Sequence, residues 1–222
     1  MPLIAVEGRA TRFHRAERGT VTVSVAFSGD SREVALDLAQ RAHADLVADA
    51  KAHVGEGRAT WWGADGVAAW TYHEWVKPKP HLDAQKVRRF RAGSSVRVKF
   101  SDFAALSAWS ASVVQRSGID LDGVDWALTD ATRIGLTREV RRAAALDARD
   151  RAAEYASALG LSEPRLVTFY EAGLRPHVGS RQGPALVALR GAAAGGSGDA
   201  GLELRPDDIE VTVAVSADYE AD

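Results

Sequence analysis

The chain has 222 residues, 46% of them hydrophobic and 26% charged, which is typical of a globular protein that buries a substantial core. Its 28 lysines and arginines stand against 30 aspartates and glutamates, and this net charge of −2 argues against a protein that coats nucleic acid generally. The absence of cysteine excludes disulfides, thiolate metal sites and a cysteine nucleophile.

The N-terminus carries no recognisable signal peptide, because its apolar run ends at Glu7. No uninterrupted apolar segment is long enough to span a bilayer. We therefore expect a cytoplasmic protein without a membrane span. An envelope location stays open if translation starts upstream of Met1.

Alternating apolar residues predict strands over residues 3–10 and 20–27. A helix follows, for which Asp30 is the expected N-cap and Glu33 completes a capping-box pattern. Its apolar residues recur every four positions, which is typical of a helix that packs on a sheet. They are Val34, Leu38, Ala42, Leu46, Ala50 and Val54.

Two aromatic-rich strands are predicted over residues 59–62 and 67–76, before Lys77-Pro78-Lys79-Pro80. Proline donates no hydrogen bond to a sheet, so we expect a sub-domain boundary near 77–85 within a single domain, 1–222. A strand resumes at Ser95. It leads to a short helix capped by Ser101-Asp102, whose buried side should carry Leu106, Trp109 and Val113.

The second half predicts a strand from Val124, a long helix over 137–160, a strand over 166–170 and a last strand from Ile209. Residues 176–203 are rich in Gly and Ala and read as a flexible loop. The fold class is therefore α+β, an antiparallel or mixed sheet covered by amphipathic helices. The sequence leaves open whether its two strand–helix–strand passages, residues 21–76 and 96–124, arose by duplication. The long helix should bury Val140, Ala144, Ala148, Ala152, Tyr155 and Leu159.

Four segments in this order resemble the SIMPL domain family of bacteria. They are Ile4-Ala5-Val6-Glu7-Gly8-Arg9-Ala10, the Phe90-to-Val98 strand, the Asp122-to-Leu159 strand and helix, and Glu171-Ala172-Gly173 with the last strand. The resemblance implies an α+β fold and large homo-oligomers. For some members it implies an envelope location or a link to oxidative stress. It carries over no catalytic residue. We expect this chain to depart from the family in lacking an export signal, and the region that holds Trp61, Trp62, Trp70 and Trp75 is richer in aromatic residues than the family pattern.

Chemistry-bearing motifs are scarce. His43 and His53 lie ten positions apart on one predicted helix, but no third ligand accompanies them, so no metal site is predicted. Gly55-Glu56-Gly57 lacks the third glycine of a dinucleotide fingerprint and follows a helix. No catalytic triad or dyad is readable. We predict no catalytic residue, no cofactor and a non-enzymatic role.

Charge is unevenly distributed along the chain. Residues 77–99 hold eight Lys or Arg against Asp83, whereas residues 203–222 hold seven acids against Arg205. One hypothesis pairs these strands, with Arg97 or Lys99 facing Glu210. The other is an anion-binding strand, 86–99, with nearby aromatics; nucleic acid is the less favoured ligand. The anion-binding candidates are Arg88, Arg89, Arg91, Arg97 and Lys99.

Five aromatic residues cluster in the predicted strands 59–62 and 67–76. Core packing is their ordinary interpretation. Alternation places Trp70 and Tyr72 on one strand face and Trp75 on the other, which favours cover by another subunit. The candidate interface is Trp61, Trp62, Trp70, Tyr72 and Trp75. We expect a homo-oligomeric, self-assembling scaffold of unknown physiology; the alternative is a small-ligand or anion-binding module.

Overall fold

A computed structural model describes residues 1–77, 83–175 and 204–222 of the chain. These residues form eight strands and three helices, which confirms the predicted α+β class. In chain order the elements are β1 (Leu3–Arg15), β2 (Arg18–Gly29), α1 (Arg32–Gly55), β3 (Ala59–Ala64), β4 (Ala68–Val76), β5 (Gln85–Phe100), α2 (Phe103–Val113), β6 (Ile119–Ala127), α3 (Asp130–Ala158), β7 (Arg165–Glu171) and β8 (Asp208–Glu220).

The elements gather in two compact units. The first contains Met1–Ala16, the described part of Leu128–Gly191, and Asp207–Asp222. The second contains the described parts of Glu17–Ala127 and Ala192–Pro206. The single domain expected over 1–222 stays a prediction beside this division.

Both proline- and glycine-rich segments singled out in the sequence lie at gaps in the described chain. The predicted boundary near 77–85 falls between β4 and β5, which pair with each other inside the second unit. Its residues 78–82, and the predicted loop at 176–203, lie outside the described residues.

The first unit is a three-stranded antiparallel sheet, ordered β1-β8-β7, with α3 packed on β1 and β8. The helix touches the sheet through small side chains at every fourth position, which lets the two backbones approach closely. A Cβ on Gly8 of β1 would lie only 2.2 Å from the carbonyl oxygen of Ala144. The buried residues of α3 are Val140, Ala144, Ala148, Ala152 and Ala156.

The predicted apolar stripe of α3 is wrong at its C-terminal end. Tyr155 is 57% exposed and Leu159 is 69% exposed, and Ala156 takes the buried position instead. A four-residue spacing advances about 40° per step relative to the helix period of 3.6 residues, so the buried stripe winds around the helix. Ala156 continues that winding stripe, whereas Tyr155 does not.

The second unit is built on a five-stranded antiparallel sheet. Its path is β3-β5-β2-β6, and β4 pairs with the N-terminal half of the long strand β5. Helices α1 and α2 pack on one face of the sheet. That face buries Val21, Val23, Val25, Val96, Val98 and Phe100.

The predicted buried side of helix α1 is wrong in the first turns of the helix. Val34 is 53% exposed and Leu38 is 39% exposed, whereas the neighbouring Ala35 and Ala39 are fully buried. The small alanines allow the first turns of α1 to lie close to the sheet. Leu46 and Ala50, further along, are buried as expected.

Of the two predicted helix caps, the one for α1 is wrong and the one for α2 is confirmed. Asp30 does not cap α1; the cap is Ser31, whose Oγ accepts a hydrogen bond of 3.2 Å from the backbone amide of Val34. Asp30 pairs with Arg89 instead. Asp102 caps α2 as predicted, accepting from the amides of Ala104 and Ala105 at 2.9 and 3.0 Å.

Candidate interaction surface

The face of the five-stranded sheet turned away from α1 and α2 is called the open face here. Side chains alternate along a strand, so burial of Val96, Val98 and Phe100 places the odd-numbered residues of β5 on this face. On the central strand β2 the open face carries small polar or apolar side chains. These are Thr20, Thr22, Ser24 and Ala26.

Three of the five predicted interface aromatics lie on the open face. Trp61 stands opposite Lys99, Trp70 opposite Arg91, and Tyr72 opposite Arg89. Trp61 is 45% exposed and Trp70 is 46% exposed. The described part of the chain therefore leaves about half of each indole uncovered.

The other two aromatics lie on the helix side. Trp62 stands opposite the buried Val98 and packs against the core, with the Lys51 ammonium 5.7 Å from its ring centre. Trp75, opposite Lys86, is 67% exposed near the end of β4. The predicted alternation is therefore confirmed, because Trp70 and Tyr72 lie on one face of β4 and Trp75 lies on the other.

The exposed indoles lie over glycines. A Cβ on Gly63 would sit 2.7 Å from the Trp61 ring, and one on Gly93 would sit 3.4 Å from the Trp70 ring. Aromatic side chains commonly cover strand glycines in this way, and the missing Cβ lets the ring approach the backbone. Both indoles are therefore supported from beneath by the sheet and present surface to the outside.

The five candidate anion-binding residues are split by the sheet. Arg89, Arg91, Arg97 and Lys99 lie on the open face. Arg88 lies on the other face, with its guanidinium 4.9 Å from the ring centre of Phe90. The predicted site is therefore not one contiguous cluster of five cations.

Carboxylates already pair with two of the four open-face cations. Arg97 lies 3.9 Å from Asp65, and Arg89 pairs with Asp30 and with Glu74 at 3.3 Å. For Arg91 and Lys99, the described residues supply no carboxylate partner. The Lys99 ammonium lies 5.9 Å from the ring centre of Trp61, a cation–π distance.

Acidic residues occupy the opposite side of the open face, on β6. Asp125 stands opposite Thr20 and Asp120 opposite Ser24, and Asp122 accepts a hydrogen bond from the Ser24 hydroxyl. Because Thr20 also stands opposite Lys99, one row across the sheet reads Trp61, Lys99, Thr20, Asp125. The open face thus carries its aromatic and basic residues on one side, where Asp30, Asp65 and Glu74 pair with two of the arginines, and the aspartates of β6 on the other.

The expected pairing of Arg97 or Lys99 with Glu210 is wrong. Glu210 belongs to β8 in the three-stranded sheet, where it stands opposite Phe13. Arg97 and Lys99 belong to β5 in the five-stranded sheet, opposite Thr22 and Thr20. The two charged segments fall in different sheets because β8 pairs with β1, at the far end of the chain.

The histidines considered as ligands have other surroundings. His43 shares a hydrogen bond of 2.9 Å with the Ser94 hydroxyl. The His53 ring packs edge-on against Phe100 and Trp109, with centroid distances of 5.1 and 6.1 Å. Within residues 1–77, 83–175 and 204–222, no three His, Asp or Glu side chains gather as metal ligands.

Two features of the open face escaped sequence reasoning. Gly63 and Gly93 were given no role in this surface, although they lie directly beneath the Trp61 and Trp70 rings. The acids of β6 were also missed. The available signal was that three aspartates lie close together between Ile119 and Trp126. These two apolar residues lie on the face of β6 that the helices cover, so the aspartates indicate the other, open face.

None of the helices described here combines the length and the apolarity needed to cross a membrane. Comparison with curated proteins found no match to the chain. A family model, SIMPL, described as proteins of unknown function (DUF541), matches residues 4–219. This match extends over both compact units and nearly every described element, so the chain belongs to the SIMPL family.

Proposed function

We propose that this protein is a non-enzymatic, self-assembling scaffold in which a second copy covers the open face of the five-stranded sheet. The observation that carries the proposal is the pair of indoles, Trp61 and Trp70, held over glycines and about half exposed. Tryptophan is enriched at the centres of protein interfaces, because its burial removes a large apolar area from water.

Charge complementarity supports a second copy as the partner. Lys99 and Asp125 flank Thr20 in one row of the sheet. If two copies meet face to face about a twofold axis parallel to the strands, the aromatic and basic side of each open face turns towards the acidic β6 side of the other.

The test compares tryptophans on the two sides of the sheet by sedimentation velocity. We expect Trp61→Ser combined with Trp70→Ser to raise the dissociation constant of the assembly at least about tenfold, since each change removes a large apolar contact. Trp75→Ser, on the helix side, is the matched control and should leave association unchanged. Equal association by the wild type and the double variant would contradict the proposal.

A second candidate is a small-anion site at Arg91, an open-face cation for which the described residues supply no carboxylate partner. Lys99 lies eight residues further along β5, about 26 Å away, and is not part of this site. The face also carries Asp65, Glu74, Asp120, Asp122 and Asp125. These acids disfavour a long polyanion such as nucleic acid, because they repel its phosphates. A small anion between Arg91 and Trp70 avoids most of that repulsion.

Titration with inorganic phosphate distinguishes the two candidates. The anion site predicts saturable binding that Arg91→Gln abolishes and that Arg88→Gln, on the other face, does not change. Self-assembly without an anion site predicts no phosphate binding by either variant. The cytoplasmic location and the role in oxidative stress, the latter implied by family resemblance alone, stay predictions.

A further inference from the structure

The free edge of β7 differs from the opposite edge of its sheet. Strand β7 pairs with β8 on one side, and on its other side the described residues place no strand. At the opposite edge, the backbone amide of Arg9 in β1 is bound by Asp147 of α3, and the helix packs against the strand. An unpaired strand edge is a template for pairing with another chain.

Strand β7 also leaves large apolar side chains in solvent. Leu166 is 51% exposed, Val167 is 45% exposed and Phe169 is 43% exposed. Val167 lies at a bulge, where the register between β7 and β8 shifts, and it has no partner residue on β8. Between its terminal charges the strand has no lysine, proline or acid of the kind that guards an exposed edge.

The sequence of β7 is complementary to itself in the antiparallel sense. It is a seven-residue strand centred on Thr168, with Arg165 at one end and Glu171 at the other. A twofold axis through Thr168 places Arg165 opposite the second copy's Glu171, Leu166 opposite its Tyr170, and Val167 opposite its Phe169. Each apolar side chain then meets another, and each charge meets its opposite.

We infer that β7 pairs antiparallel with β7 of a second copy, joining two three-stranded sheets into one of six strands. The choice of a second copy rests on the self-assembly proposed above, but the surface is separate, since β7 belongs to the first unit and the open face to the second. A chain with two different self-complementary surfaces can build assemblies larger than a dimer.

A charge-swap series isolates the pairing between copies from contacts within one copy. Inside the chain, Arg165 lies 3.4 Å from Glu220, and Glu171 lies 3.3 Å from Arg141. Arg165→Glu and Glu171→Arg each remove one such contact. The double swap restores the attraction between copies but leaves both internal contacts repulsive.

The measurement is the dissociation constant by sedimentation velocity, in a background carrying Trp61→Ser and Trp70→Ser, which weakens the open-face contact. Each single swap should weaken association roughly three- to thirtyfold, since two symmetry-related pairs are lost, and the double swap should restore it. Phe13→Lys, on the strand at the other edge of the sheet, is the control and should change nothing.

Two outcomes overturn the inference. One is a double swap weaker than either single swap, which assigns the effect to the internal contacts with Glu220 and Arg141. The other is a background variant that is already monomeric, which leaves the open face as the sole interface and the proposed function intact. If instead the swaps behave as expected while the Trp61 and Trp70 changes have no effect, the open-face proposal fails and this one stands.

Discussion

The backbone amide of Arg9 donates a hydrogen bond of 2.8 Å to a carboxylate oxygen of Asp147, 138 positions later in the chain. Arg9 lies in β1 at the edge of the three-stranded sheet, and Asp147 lies in α3. The same carboxylate accepts a second hydrogen bond, of 2.9 Å, from the Arg151 guanidinium. A helix side chain thus satisfies an edge amide that another strand could otherwise engage.

This contact predicts a pH-dependent stability. The hydrogen bond from the Arg9 amide has the largest effect and holds the pKa of Asp147 below its ordinary value; burial opposes it, and the Arg151 guanidinium lowers the pKa further by a smaller amount. Because the folded-state pKa is the lower one, the carboxylate stabilises the fold above the unfolded-state pKa. That contribution is lost as the pH falls through the folded-state pKa.

The test variant is Asp147→Asn, which still offers an oxygen to the Arg9 amide but carries no charge. We expect it to lower the free energy of unfolding in urea by about 0.5 kcal/mol at pH 7, a small value because solvent screens the site. The difference should shrink towards zero in acid below about pH 4. Asp150→Asn on the same helix is the control. A difference independent of pH would refute the assigned cause.

The close approach of α3 to β1 predicts that Gly8 tolerates no side chain. A Cβ there would lie 2.2 Å from the Ala144 carbonyl oxygen and 2.6 Å from the Ala148 amide nitrogen, and neither backbone atom moves without the helix. Gly8→Ala should therefore destabilise the fold by about 1–3 kcal/mol.

Gly135 in α3 supplies the matched comparison. A Cβ at Gly135 meets nothing within 4 Å, so Gly135→Ala should stabilise the helix by roughly 0.5–1 kcal/mol. Thermal unfolding of both variants measures the contrast. A Gly8→Ala variant as stable as Gly135→Ala would mean that α3 does not lie against β1 as described.

The core of the second unit predicts a large loss at Phe100. Its side chain is fully buried, and its ring packs against His53 and Trp109, with centroids 5.1 and 5.6 Å away. Phe100→Ala should cost about 3–5 kcal/mol in urea unfolding. Phe13→Ala, at a position 65% exposed, should cost less than about 0.5 kcal/mol. Similar losses for the two would count against this core.

Short-range patterns in the sequence predicted the local structure well. The alternation of Val21, Val23 and Val25 identified a half-buried strand, and Asp102 was recognised as a helix cap. Both signals depend on neighbouring residues alone.

Long-range pairing was not predictable in this way. Nothing local indicates that β1 pairs with β8, and this pairing alone puts Glu210 in a different sheet from Arg97. The buried side of α1 was misread for a related reason. Bulky Val34 was expected inside, but small Ala35 is buried where the helix lies close to the sheet.

The most direct test of self-assembly is the native mass of the wild-type chain, measured by multi-angle light scattering from submicromolar to high micromolar concentration. The proposal predicts a mass that rises with concentration to a multiple of the 23.7 kDa of one chain. A mass of 23.7 kDa throughout that range would contradict it.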